Sequence, residues 1–66
     1  MFNNVTEEEK KRIIDALDRL SRTELERILM AVGSFSKWLA STFADIFRKI
    51  GSMINDMWEW IKSCFS

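Results

Sequence analysis

The chain contains no histidine, no proline, one cysteine (Cys64) and two glycines (Gly33 and Gly51), and its ten acidic residues balance its ten basic ones. Each absence excludes something. A zinc site built here would have one thiolate and no imidazole, too few ligands for the metal. One cysteine forms no disulfide framework, and such sparing use fits a reducing compartment. General acid–base catalysis would fall to carboxylates alone. The pairs Asp15/Asp18 and Asp56/Glu59 sit three residues apart on charged helical faces, whereas a catalytic acid needs a perturbing cleft. No glycine-rich phosphate loop is present. The residues therefore predict no enzyme, no cofactor, no metal and no small-molecule substrate. Zero net charge also argues against nucleic acid, because affinity for phosphate rests on unbalanced Lys and Arg.

The lack of proline, and of alternating β-branched residues, predicts an all-α chain. Asn3, Asn4, Glu7, Glu8 and Glu9 are the opposite of a basic n-region before an apolar core, so no signal peptide is expected. Asp45, Arg48, Lys49, Asp56, Glu59 and Lys62 interrupt every apolar stretch of the C-terminal half. A membrane-spanning helix is not expected, while a helix lying in the membrane interface stays open. The expected location is cytoplasmic, with peripheral membrane attachment as the open variant.

Sixty-six residues make one domain, which buries about 60% of its unfolded surface. Its halves differ: residues 1–33 carry thirteen charges and residues 34–66 carry seven. In the first half, Thr6 and Glu9 form a capping box that starts a helix over about 7–20, with Ile13, Ile14, Leu17 and Leu20 as its apolar stripe. Glu8–Arg12 and Asp15–Arg19 are spaced for i,i+4 pairing. A turn at Ser21–Arg22 leads to a second helix over about 23–32, capped by Ser21 with Glu24 or by Thr23 with Glu26. Leu25, Ile28, Leu29 and Val32 would face inward. Gly33 suits the C-cap, and Ser34 or Ser36 would cap the next helix.

Residues 35–65 read as one amphipathic helix, and every aromatic residue except Phe2 lies there. Leu39, Phe43, Ile46, Ile50, Met53, Met57, Trp60 and Cys64 recur at alternating four and three spacing. A second row, Phe47, Ile54, Trp58, Ile61 and Phe65, runs beside this seam. Together the rows span roughly 200° of helix surface, more than one neighbouring helix covers. Gly51 could end one helix and Ser52 start another. Alternatively, an interior glycine costs roughly 1 kcal/mol and leaves one helix about 45 Å long. Because the seam keeps its phase through Gly51, the expectation is a continuous or mildly kinked helix.

Two short segments resemble known families. Leu20-Ser21-Arg22-Thr23-Glu24-Leu25-Glu26-Arg27-Ile28 resembles the Leu-Ser-x-x-Glu-Leu-x-x-Ile segment of double-glycine leader peptides, which guide bacteriocin-like precursors to a processing exporter. Where that family has its glycine pair, this chain has Met30-Ala31. The resemblance implies a leader in residues 1–33 and a secreted, antimicrobial remainder. Met57-Trp58-Glu59-Trp60-Ile61-Lys62 is similar to segments in interfacial helices of membrane-active peptides and viral membrane anchors. It implies attachment to a lipid surface, where tryptophan favours the headgroup boundary.

The expected architecture is a small helical bundle, a charged N-terminal hairpin packed on a long C-terminal amphipathic helix that would break, if anywhere, at Gly51. The hairpin would cover the Leu39–Ile46–Ile50 side. Phe47, Ile54, Trp58, Ile61 and Phe65, with Trp38 and Trp60, are the expected binding residues for a protein partner or a second copy of the chain. The alternative is a membrane interface, in a surface-active or antimicrobial peptide.

Overall fold

In a computed structural model the chain is described from Asn4 to Phe65. Among the described residues five helices follow one another: α1 (Glu7–Asp18), α2 (Arg22–Met30), α3 (Val32–Thr42), α4 (Ala44–Ile50) and α5 (Ile54–Phe65), with a 3-10 turn at Gly51–Met53 between the last two. Among the described residues there is no strand. The all-α bundle expected from composition is the observed fold.

The two N-terminal helices start where their caps dictate. The Glu9 amide donates to Thr6 Oγ1 at 3.0 Å and the Thr6 amide donates to Glu9 Oε1 at 3.0 Å, which completes the capping box. Of the two caps open for α2, Ser21 is used: its Oγ accepts from the Glu24 amide at 3.3 Å. The expected Glu8–Arg12 and Asp15–Arg19 pairs are replaced by Lys10–Glu7 at 2.8 Å and Arg22–Glu26 at 3.5 Å. All of these are surface contacts worth at most about 1 kcal/mol.

Beyond α2 the sequence reading needs correction. The helix ends at Met30, not at Gly33, because Ala31 adopts an extended conformation (φ −143°, ψ 130°). Gly33 then lies inside α3, which no serine side chain caps. The expected long helix is broken twice. At Phe43 the backbone leaves helical geometry (φ −134°, ψ 65°) with neither glycine nor proline beside it. At Gly51 φ is +53° with ψ −123°, a conformation L side chains rarely adopt. Gly51 is thus a turn residue, and the expectation of a continuous helix is overturned.

The breaks follow from the surplus of apolar surface. A straight helix would expose much of a 200° arc, whereas folding it into three segments lets its faces cover one another. α3 packs against α2, α4 and α5, while α5 also contacts α2 and α4. Every helix contributes to one core: Ile13 and Leu17, Ile28, Phe35 and Leu39, Ile46 and Ile50, Met57 and Ile61. Among the described residues this core holds no polar side chain. The Leu39–Ile46–Ile50 side is buried, as expected of it. Past Gly51 the buried face shifts by one row. Met57 stays inside, Ile61 of the second row joins it, and Met53 and Cys64 of the seam turn to solvent. The radius of gyration, 10.7 Å, matches the roughly 10.8 Å of a folded chain of this length.

Polar contacts at the surface fasten α1 to α4. Glu9 uses its second carboxylate oxygen to accept from Lys49 Nζ at 2.8 Å, and Asn4 Nδ2 donates to the Lys49 carbonyl at 3.2 Å. The start of α1 is thereby tied to the end of α4.

Candidate functional site

The residues singled out by periodicity do not form one exposed edge. Ile61 is wholly buried, so it belongs to the core and its assignment to a binding surface is corrected. Phe47, Ile54, Trp58, Phe65, Trp38 and Trp60 are half-buried and pack against the core with one side. The exposed area of the molecule, 4452 Å², matches the roughly 4,400 Å² expected of a folded monomer of 7.8 kDa. Most of the surplus apolar surface is therefore covered by the chain itself.

Each tryptophan has a contact inside the molecule. Trp58 Nε1 donates to the Ile28 carbonyl at 3.1 Å. That carbonyl lies in the last turn of α2, where helix geometry leaves oxygens without partners. Because α2 ends at Ala31 without a glycine cap, the indole acts as its cap from thirty residues away. Lys62 Nζ lies 3.7 Å from the Trp58 ring centroid, and Lys10 Nζ lies 5.7 Å from that of Trp60. Trp38 stacks on Phe35 at 6.2 Å and meets Phe43 edge-on at 5.9 Å. The indole N–H of Trp58 is thus committed to the fold, and the rings are half covered.

Phe65 is placed differently. At the end of α5 it lines an open groove of about 470 Å³ with Leu20, Leu25 and Leu29, rimmed by Arg22 and Glu26. Leu25 and Leu29 stand one turn apart on α2 and form a ridge, with Leu20 from the α1–α2 turn closing one end. Sequence reasoning assigns all three leucines to the inward face. The signal that separates them is in the same residues: the α2 arc of Leu25, Ile28, Leu29 and Val32 is wide, and Ile28 at its centre is the buried member of the helix. Met30, 82% exposed, projects at the α2–α3 corner beside a second shallow groove with Thr23, Arg27 and Ser34. A third opening lies around Trp38, lined by Glu24, Arg27, Ile28, Ser34 and Lys37.

The Lys49 ammonium, and then the Thr6 amide, hold the Glu9 carboxyl below its ordinary value. This group fastens α1 to α4 and lies in none of the three grooves just described. Among the described residues no cluster of His, Cys, Asp or Glu is arranged to hold a metal ion, and no helix is long and apolar enough to cross a membrane. No family model matches this sequence, and no curated protein or solved structure is significantly similar to it.

Proposed function

We infer that this chain is a small non-enzymatic binding protein that docks an amphipathic helix of a protein partner along the Phe65 groove. The observation that carries this is the groove itself, a row of half-buried Leu20, Leu25, Leu29 and Phe65 beside the Arg22–Glu26 pair. Its floor is apolar and open, the form that accepts side chains spaced at i, i+3 and i+4 from another helix. Arg22 and Glu26 on its rim pair with each other at 3.5 Å, so the rim carries no net charge to attract an anionic phosphate or lipid surface.

The membrane reading asks more of the molecule. With the Trp58 N–H capping α2 and Lys62 over its ring, insertion of the tryptophan pair requires the bundle to open first. A precursor cleaved between the halves would likewise strip α2 of its contacts with α3 and α5. The test compares wild type with Phe65→Ala and Leu25→Ser in affinity capture, after checking that the variants melt within a few degrees of wild type. A partner retained by wild type and lost by both variants supports docking at the groove. Equal retention by all three, or retention of nothing, overturns it. Vesicle addition runs in parallel, and a blue shift of tryptophan emission there would favour lipid instead.

A further inference from the structure

We propose that this chain exchanges its α4–α5 segment with a second copy, opening at Phe43 so that α3 and α4 become one continuous helix. Four observations converge on this. First, nothing local requires the break: Thr42-Phe43-Ala44 contains no glycine or proline, so packing holds the bend. Second, the break leaves backbone groups open. The Phe43 amide donates to Leu39 at 2.8 Å and the Phe47 amide to Phe43 at 2.9 Å, both with helical spacing. Between them the amides of Ala44, Asp45 and Ile46 have no helical partner and no side-chain cap. Straightening would give them the carbonyls of Ala40, Ser41 and Thr42. Third, Leu39, Phe43, Ile46 and Ile50 keep a four-three-four spacing through the hinge, so the fused helix presents one apolar face.

Fourth, the tertiary fastenings are exchangeable. The Asn4–Lys49, Glu9–Lys49, Ile28–Trp58 and Lys10–Trp60 contacts each join a residue before Phe43 to one after it. A second copy offers the same partners, so the exchanged pair re-forms these contacts between chains and gains the hinge hydrogen bonds. Complementarity is guaranteed because the surfaces are those of the closed monomer. Short hinges that pack into a bend, but whose sequence accepts a straight helix, favour this outcome. The exchange goes beyond the docking proposal and does not use the Phe65 groove.

The test mixes two single-cysteine chains in a Cys64→Ser background, Asn4→Cys and Lys49→Cys. They are refolded together from urea at high concentration and treated with a short bismaleimide. Closed monomers bring positions 4 and 49 together within one chain, so cross-linking between chains reports exchange. Asn4→Cys mixed with Lys37→Cys, both on the same side of the hinge, measures random collision. Exchange predicts covalent product well above that control. Ala44→Pro, at the first position of α4, removes an amide that has no helical partner in the closed monomer but that a continuous helix needs, so it should lower the product to the collision level. Product no greater than the collision control, or product that Ala44→Pro leaves unchanged, overturns the proposal. A dimer in sedimentation without the 4–49 cross-link overturns it too.

Discussion

Gly51 offers a test in which the sign of the effect, and not its size alone, decides between two structures. In the bundle its φ of +53° with ψ −123° lies outside the space of L residues, and it closes α4 ahead of the 3-10 turn. A Cβ added there would meet nothing within 4 Å, so Gly51→Ala introduces no clash and the whole cost is backbone conformation. Forcing an L residue into such a region costs about 1–3 kcal/mol. The stiffer unfolded chain returns about 0.4–1 kcal/mol, leaving a net loss of roughly 1–2 kcal/mol. At roughly 4–8 °C per kcal/mol for a domain of this size, Tm should fall by about 5–15 °C. A D-alanine at the same position, accessible by chemical synthesis, adopts the mirror geometry without strain. It should stabilise by about 0.4–1 kcal/mol. Were residues 35–65 one straight helix, both signs would reverse. L-Alanine would then gain about 1 kcal/mol over an interior glycine, and the D residue would disrupt the helix. Thermal and urea unfolding followed by far-ultraviolet circular dichroism measure both variants. A Gly51→Ala protein more stable than wild type, with the D-alanine protein less stable, would refute the turn and the bundle geometry that depends on it.

Two other outcomes rest on single contacts. Trp58→Phe keeps most of the ring but removes the donor to the Ile28 carbonyl, so a part-buried oxygen loses its cap. A loss of about 1–2 kcal/mol in urea unfolding is expected, and a change below about 0.3 kcal/mol would show that water replaces the indole without cost. Glu9 is held below its ordinary carboxyl value by Lys49 and the Thr6 amide, so the folded state favours its ionised form. Its contribution is complete above the ordinary range, near about 4.3, and is lost as pH falls through the lower folded value. Glu9→Gln should therefore be less stable than wild type at pH 7, with the gap narrowing on acidification. A gap constant from pH 7 to pH 3 would contradict the Glu9–Lys49 contact.

How far the fold can be read from the chain differs sharply between its halves. In residues 4–30 the signals are local: Thr6 and Glu9, and Ser21 and Glu24, satisfy backbone donors within one turn, so a sequence window contains the whole interaction. Helix starts there are legible to within a residue or so. In residues 31–65 the deciding contacts are distant. Ala31 is a good helix former in an extended conformation, and Phe43 is an ordinary residue at a break. Neither position carries a turn signal, because the bends relieve a surplus of apolar surface that exists at the level of the whole chain. At Gly51 a turn signal is present but is outweighed by the unbroken phase of Ile46, Ile50, Met53 and Met57. That inference assumes a buried seam must continue. In the bundle Met53 is 37% exposed and Ile61 takes the inner place, so periodicity on one side of a turn does not report register on the other.

The same distinction governs the candidate site. Aromatic content points to Trp58 and Trp60 as recognition residues, since large amphipathic rings are enriched at interfaces. The enrichment has a second cause, visible here: a helix that ends without a glycine needs some donor for its last carbonyls, and an indole can reach them from another helix. Trp58 fills that role for α2, which removes its N–H from any partner's reach while leaving part of its ring exposed. Phe65 has no polar side-chain atom to commit. It lies against Leu20, Leu25 and Leu29, which are half-buried at the margin of the core. The docking proposal therefore rests on side chains that the core leaves half-covered: composition weights the tryptophans most heavily, whereas the proposal rests on Phe65 and the Leu25–Leu29 ridge of α2.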